Sequence, residues 1–332
     1  MAIHGTGSPL SLSQIASEFG GDAPHSMSEY YAGGSNVPAG TSGNGGDIPS
    51  SGAINFNIFY TSQKVTRVAI GLTISSTTQN YNIYSNKGGT YSAGNSDVTL
   101  TVQAIVGSAS NGQYAIDTGN QWASGDTVKI INNSQIVGAG GGGGAGATGS
   151  TAQTQQQISG SAGQGGGSAV NLGFATTIQN NGGFIRGAGG GGGGGGNAQL
   201  DQSTGKGANF TGVSGGGGGG GAGQNGGSAG GNGGGQSGSV VGQAGSISGA
   251  GNGGAGGSHG SPNPATAGQG GNGGGFGSAG QNGQTGTSRN SSGVIITGGS
   301  GGTGGASGKA VNLNGNTLTW EDGNTNVQGA VS

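Results

Sequence analysis

The sequence lacks cysteine and has few proline, aromatic and charged residues. Without cysteine, its 332 residues allow no disulfide framework and no thiolate nucleophile. Charged residues make up 5% of the chain and the formal net charge is −2, so no basic surface is available for nucleic acid. Aromatic residues also make up 5%, so an ordinary globular core must be small. No apolar run approaches the roughly 18 residues of a membrane span.

The sequence is instead rich in glycine. It accounts for 93 residues, most of them after residue 135, and forms the unbroken runs Gly140 to Gly144, Gly189 to Gly196 and Gly215 to Gly221. Because glycine loses more conformational entropy on folding than any other residue, such runs stay disordered unless their backbone groups are paired collectively. Left-handed polyproline-II-like helices leave every N–H and C=O free for neighbouring helices. We therefore expect residues 136–308 to form a polyglycine-II helix bundle with connecting loops.

Alternating apolar residues before the glycine runs predict β-strands. The period of two appears at Ile54 to Tyr60, Val68 to Ile74, Val98 to Val106 and Val128 to Ile130. Turn residues separate these segments, which favours a β-sandwich-like domain over residues 49–135. Residues 309–332 contain Asn314-Gly315, a hairpin turn signal, and predict a C-terminal β-hairpin cap. The predicted fold class is mainly β.

Residues 1–48 predict a small helical module. Capping boxes at Ser11 to Gln14 and at Ser26 to Glu29 begin two short helices. Helices of fewer than about 12 residues are marginal alone, so this module must pack against the next domain or another protein. We interpret it as an attachment module whose apolar residues make the contact: Leu12, Ile15, Phe19, Tyr30 and Tyr31.

The loops between glycine runs are the candidate binding surfaces, because the runs present little besides peptide groups. The connecting segments are 147–160, 197–211, 258–267 and 284–293. A rigid scaffold that displays variable loops separates stability from specificity. The alternative for any single loop residue is a role as a solvated connector. The candidate receptor-binding residues are Phe210, His259, Pro262, Pro264 and Arg289.

No catalytic or metal site is predicted. His4, His25 and His259 lie far apart in the sequence, and the aspartates fall in turns where they normally cap backbone N–H groups. A Gly-x-Gly-x-x-Gly match at Gly187 to Gly192 lacks the strand and helix of a dinucleotide site. We therefore expect no enzyme activity, no metal and no cofactor.

Several segments resemble bacteriophage tail proteins. Pro9 to Gly21 and Pro24 to Tyr31 resemble a module near the start of many phage tail and tail-fibre proteins. Trp122 to Gly140 and Lys309 to Trp320 resemble the entry and the close of the glycine-rich domain of phage tail proteins. The glycine-rich body is also similar to tip adhesins of myophage long tail fibres, in which stacked polyglycine helices carry receptor-contacting loops. The front of the chain differs from those adhesins.

The resemblance implies a virion tail protein that binds a host receptor, either an outer-membrane protein or a glycan. It also implies that the N-terminal module contacts other tail proteins. A homotrimer is expected, with a single-copy tip as the alternative. Two other functions stay open: a purely structural tail, collar or baseplate component and, more remotely, an ice-binding or cell-surface glycine-rich protein. No cleavable signal is recognised, so synthesis in the bacterial host cytoplasm is expected.

Overall fold

The computed structural model describes residues 3–38, 40–64, 67–149, 156–201, 210–234, 238–260, 264–290, 292–322 and 324–332. The chain divides into two compact units, which we describe separately. The front unit comprises Met1–Ile70, Gly89–Asp97 and Ala123–Thr127, and the large unit comprises Gly71–Gly88, Val98–Trp122 and Val128–Ser332. Within the described ranges, every helix is too short or too polar to cross a membrane.

The front unit begins with short helices and one small hairpin. Helix α1 spans Leu12–Phe19, a 3₁₀ helix spans Met27–Tyr30, and strands β1 (Ser42–Gly43) and β2 (Gly46–Asp47) pair antiparallel. Both capping boxes form as predicted, at Ser11 and at Ser26.

The predicted strand at Ile54 to Tyr60 is wrong. Phe56–Phe59 form a second 3₁₀ helix, because the side-chain oxygen of Asn55 accepts a hydrogen bond from the backbone N–H of Asn57 at 3.0 Å. An asparagine that caps in this way offers the backbone an alternative to sheet pairing.

A compact apolar core stabilises the front unit. The ring of Phe59 lies 6.0 Å from that of Phe19 and 6.4 Å from that of Tyr30, both in edge-to-face geometry. The Nζ of Lys64 donates to the carbonyl oxygen of Phe19 at the end of α1, at 2.9 Å. The short helices therefore pack within their own unit. The buried members of this core are Ile3, Ile15, Phe19, Tyr30, Val37, Ile48 and Phe59.

The remaining strands are short and follow the chain in order. Helix α2 spans Ile83–Asn86. The strands are β3 (Val68–Ile74), β4 (Thr78–Gln79), β5 (Tyr81–Asn82), β6 (Ser96–Val102), β7 (Val106–Gly107), β8 (Ile116–Asp117), β9 (Thr127–Asn132), β10 (Gln135–Val137), β11 (Val170–Asn171), β12 (Thr176–Asn180), β13 (Phe184–Arg186), β14 (Ala198–Asp201), β15 (Phe210–Val213), β16 (Ser258–His259), β17 (Ala265–Thr266), β18 (Thr287–Arg289), β19 (Ile295–Thr297), β20 (Val311–Asn312), β21 (Leu318–Trp320) and β22 (Val327–Gln328).

Three sheets stack these strands into a parallel β-helix. Their orders are β3-β6-β9-β12-β21, β4-β7-β10-β13-β22 and β5-β8-β11-β20, so successive strands of the chain visit the three sheets in turn. Neighbours pair in parallel: Ile136 aligns with Val106 on one side and Ile185 on the other. All three of these side chains are fully buried. Stacked apolar side chains thus form the β-helix core.

The β-helix confirms the mainly β class and corrects two of its predicted details. The predicted sandwich is wrong, because each strand pairs with the strand one coil away. The predicted C-terminal hairpin is also wrong. Asn314 and Gly315 do turn the chain with φ of 48° and 79°, but the flanking strands β20 and β21 pair with β11 and β12. Local alternation identifies a strand and its faces; it does not identify the distant partner that parallel pairing requires.

A ladder of polar side chains follows the third sheet. Asp117 accepts hydrogen bonds from the Nδ2 of Asn82 at 3.1 Å and of Asn171 at 3.0 Å. The Nδ2 of Asn312 donates in turn to the Oδ1 of Asn171 at 2.8 Å. These residues lie in register on neighbouring strands. The ladder therefore fixes the register of the sheet.

Within the described residues, the glycine-rich segments form ten rods. The rods are inserted along the chain at two points between strands of the β-helix. Rods 1 and 2 lie between β10 and β11, and rods 3 to 10 lie between β13 and β20. In order, the rods span 138–149, 158–169, 187–197, 214–223, 225–234, 240–246, 249–257, 267–275, 278–286 and 298–309.

Backbone hydrogen bonds join the rods with a period of three residues. In rod 3 the N–H groups donate in strict rotation to rods 2, 4 and 9, at N···O distances of 2.8 to 3.1 Å. The donors are Ala188, Gly191 and Gly194 to rod 2, Gly189, Gly192 and Gly195 to rod 4, and Gly190, Gly193 and Gly196 to rod 9. A period of three is that of a polyproline-II-type helix, which has three residues per turn.

The rods pack in three rows, and their neighbours explain where glycine is required. Rods 2, 1 and 5 form one row, rods 10, 3, 4 and 6 the middle row, and rods 9, 8 and 7 the third. Rods 3 and 4 are each bonded to six others, and they contain the unbroken runs Gly189 to Gly196 and Gly215 to Gly221. Peripheral rod 9 keeps glycine at every third position: Gly280, Gly283 and Gly286.

Candidate functional site

Chain direction alternates from rod to rod, which brings the long connections to one end. Rod 1 is parallel to rod 3, since Gly141, Gly144 and Ala147 donate to Gly189, Gly192 and Gly195. Rod 2 is antiparallel to rod 1. As the residue numbers of its N–H donors increase, those of the acceptors in rod 1 decrease. We define the far end as the end of the rods that carries residues 149 and 158, 197 and 214, 234 and 240, 257 and 267, and 286 and 298, with the described residues between each pair. The β-helix and the short turns 223–225, 246–249 and 275–278 lie at the opposite end, the near end.

Two small antiparallel sheets form at the far end. Strands β14 and β15 make a hairpin, and β16, β17, β18 and β19 make a four-stranded sheet in chain order. Ala198, Val213, Ala265 and Ala267 form a small buried cluster there. Three of the four predicted loop segments, 197–211, 258–267 and 284–293, therefore contain strands, and these strands lie on a small core of their own.

A row of hydroxyl side chains crosses the four-stranded sheet. Ser258 aligns with Thr266, Thr266 with Thr287, and Thr287 with Thr297. All four are exposed. Because side chains alternate between the faces of a strand, Arg289 shares the face of Thr287. The exposed face of this sheet thus combines hydroxyl groups with one guanidinium.

Two of the predicted binding residues meet on this face. Pro264 and Arg289 line a depression of about 220 Å³ together with Thr266, Thr287 and Ile295. The Nη1 of Arg289 donates to the carbonyl oxygen of Gly293 at 2.9 Å, within the β18–β19 hairpin. Ile295 and its chain neighbour Val294 are 61% and 58% exposed. The face offers cationic, hydroxyl and apolar groups to a ligand.

Of the other predicted binding residues, His259 does not line the depression, and two lie wholly or partly outside the described part of the chain. His259 is exposed in β16, but its alignment with buried Ala265 puts it on the alternate face from Thr266. The backbone of Phe210 lies in β15 and pairs with Asp201, while its side chain lies outside the described part of the structure. Pro262 also lies outside the described residues.

The sequence reasoning missed Thr266, Thr287 and Ile295. These residues become neighbours only through the register of β17, β18 and β19. A hairpin signal was present, because Asn290 and Gly293 separate two short segments of strand-forming residues. That signal could have placed Arg289 opposite Ile295.

The predicted attachment residues lie in the front unit. Ile15, Phe19 and Tyr30 are fully buried in its core, and Leu12 packs against that core while half-buried. Tyr31 is half-buried, and its hydroxyl donates to the carbonyl oxygen of Gly52. The buried three hold the unit together, so the surface open to a partner lies around them.

In the described ranges, no three His, Asp or Glu side chains come together as metal ligands.

The far end is a surface with hydrogen-bonding, charged and apolar groups, and such a surface can bind another molecule.

Similarity to known proteins is found among bacteriophage tail fibres. The crystal structure of the gp37-gp38 adhesin tip complex of the bacteriophage S16 long tail fibre is similar to this chain, with 18% identity, a TM-score of 0.40 and full coverage of both chains. None of the curated proteins compared matches the chain. The family model of the phage tail fibre adhesin Gp38 matches residues 69–332. Because that match spans well over half of the sequence, the chain belongs to the Gp38 family of phage tail fibre adhesins.

Proposed function

We propose that this receptor-binding adhesin of the virion tail recognises its host through the far end of the glycine rods. The observation that carries the proposal is the collection of all long connections at one end, while the rods offer little besides peptide groups. Binding energy in protein interfaces concentrates in a few residues, with arginine and aromatic residues enriched. The rods serve as the carrier and the far-end residues supply the specificity.

The proposed contact residues are Arg289, Pro264 and His259, together with Phe210 and Pro262. Arg289 contributes charge and hydrogen bonds, and exposed Val294 and Ile295 add apolar surface beside it. An exposed apolar patch next to polar groups is typical of interaction sites. The receptor then contacts several hairpins at once.

Adsorption of purified protein to host cells tests this proposal. In the test variant, residues 202–210, 259–264 and 289–294 are replaced by Gly/Ser of equal length, which removes all five proposed contact residues and keeps buried Ala198 and Ala265. We expect loss of adsorption and loss of competition with phage infection, with an unchanged melting transition. The matched control carries Gly/Ser at Ile247 and Ser248 in a near-end turn and adsorbs normally. Normal adsorption of the test variant would contradict the proposal.

We also propose that the front unit attaches the adhesin to other tail proteins. Most of it precedes residue 69, where the match to the family model begins, so that part lies outside the family pattern. Of the predicted attachment residues, Leu12 and Tyr31 are only half-buried, so we assign them to the proposed contact surface. Ile15, Phe19 and Tyr30 support that surface from the core.

The proposed role requires binding alone and no catalysis. The homotrimer stays a prediction, with a single-copy tip as its alternative. Light scattering on the purified chain distinguishes a mass of three chains from one of 30.8 kDa.

A further inference from the structure

We infer that the depression beside Arg289 binds a carboxylate of a host surface protein, namely an acidic side chain that lies next to an apolar one. This inference rests on the proposed function of the far end and names the chemistry of its ligand. Three features of the depression carry it: its charge, its hydroxyl groups and its apolar walls.

The charge of the depression comes from one guanidinium. Among the far-end side chains that the structure describes, Arg289 is the one with a formal charge, and it makes no ion pair with any of them. Its hydrogen bond to Gly293 uses one of its five N–H donors. Because the planar fork of arginine matches a carboxylate in two parallel hydrogen bonds, an acidic group is the ligand that its geometry fits.

Hydroxyl groups add donors on the same face. Thr287 precedes Arg289 by two residues in β18, and Thr266 lies opposite Thr287 in β17. Both line the depression and both are exposed. A carboxylate has about four acceptor sites, so the guanidinium and one hydroxyl can bind it together.

The walls of the depression favour a protein over an acidic sugar. Pro264 and Ile295 flank Arg289, and Val294 extends the apolar surface beyond them. The described residues that line the depression include no aromatic ring on which a sugar could stack. A polypeptide loop with adjacent acidic and apolar residues satisfies both kinds of surface, whereas a sugar acid leaves the apolar wall uncovered.

Binding of the full-length protein to host cells tests the charge. Arg289→Gln keeps much of the side-chain length and removes the cation, and we expect its affinity to fall about ten- to hundredfold. Arg289→Lys keeps the charge without the fork and should fall between the two. Its binding should still weaken with added salt, more steeply than that of Arg289→Gln. The matched control, Lys129→Gln, removes one positive charge on the β-helix and should bind as the wild type does.

Treatment of the cells tests the partner group. Carbodiimide with a neutral amine converts surface carboxylates to amides, so it should weaken wild-type binding and leave Arg289→Gln little changed. Protease treatment of the cells should remove wild-type binding.

Any of four outcomes would overturn the inference. The inferred carboxylate ligand is wrong if Arg289→Gln binds as the wild type does while the far-end loop variant has lost adsorption. That outcome leaves the proposed function standing. Wild-type binding that survives carbodiimide treatment also contradicts it. Binding that survives protease but is lost on cells without acidic surface sugars shows that the source of the carboxylate is a glycan. Normal adsorption of the loop variant removes both proposals together.

Discussion

At the scale of single residues, the glycines of the central rods are a steric requirement. A Cβ on Gly192 would overlap the carbonyl oxygen of Gly271, and one on Gly218 would overlap that of Gly192. On peripheral rod 5, a Cβ on Gly231 meets no atom within 4 Å. The position of a glycine among the packed rods, and not its membership of a glycine-rich segment, decides whether it can be replaced.

We therefore expect Gly192→Val and Gly218→Val to unfold the rods, with Gly231→Val as the matched control. A side chain at either central site separates the rods, and each buried peptide group left unpaired costs about 1–3 kcal/mol. Thermal melting and protease resistance of the three variants measure the effect. Equal melting of all three would show that the rods are not packed backbone to backbone.

The ion pair between Arg67 and Asp97 gives the front unit a pH dependence. The hydrogen bond from Arg67 lowers the pKa of Asp97 below its ordinary value, aided by one from Thr127. Because the pKa of Asp97 is lower in the folded protein, its ionised carboxylate stabilises the folded state at pH values above the ordinary carboxyl pKa of about 4. This stabilisation is lost as the pH falls through the lowered pKa. Because both side chains are partly exposed, the effect is at most about 1 kcal/mol.

Arg67→Gln should therefore be slightly less stable than the wild type at pH 7 and equally stable near pH 2. Denaturant unfolding of both proteins at the two pH values measures the difference. A difference that persists unchanged in acid would assign the effect of Arg67 to packing and not to its charge.

At the scale of elements, the polar ladder links coils of the β-helix. Asp117→Ala removes the acceptor of Asn82, of Asn171 and of the backbone N–H of Gly119. Because these donors are half-buried, we expect a cost of about 0.5–1.5 kcal/mol for each hydrogen bond lost. Asp117→Asn keeps one acceptor oxygen and should cost less. Unfolding measurements that rank the two variants in the reverse order would contradict this role of the carboxylate.

Local patterns predicted strands well and their pairing poorly. Alternation found β3, β6 and β9, and the similar segments Ala169 to Leu172 and Ala310 to Leu313 contain β11 and β20. Those two strands are neighbours in register, which the sequence indicates only as a repeat. The far-end strands were not predicted, because they are two to four residues long and partly polar. Their formation depends on the rods that carry them.

The candidate site was predictable at the level of segments. Pro264 and Arg289 differ from the bland composition around them, and both line the depression. Their companions Thr266, Thr287 and Ile295 resemble many other residues of the chain. Only the register between hairpins distinguishes them, and register is set by contacts across the far-end sheet.

At the scale of the whole molecule, attachment and adsorption should be separable. A chain that begins at residue 67 lacks the core of the front unit but keeps the residues matched by the family model. We expect it to adsorb to host cells and to be missing from assembled particles, as shown by immunoblotting of purified virions. Particles that contain the truncated chain and infect normally would contradict attachment through the front unit.

The crosswise direction of the hydrogen bonds has a mechanical consequence. A pull between the far end and the β-helix runs along the rods, whereas the bonds that join the rods run across them. All bonds of one interface are then loaded in shear at the same time, and none can open before the others. Glycine, the most flexible residue in a free chain, here forms rods that resist a pull along their length. We expect the rod bundle to withstand high force and then to unfold abruptly.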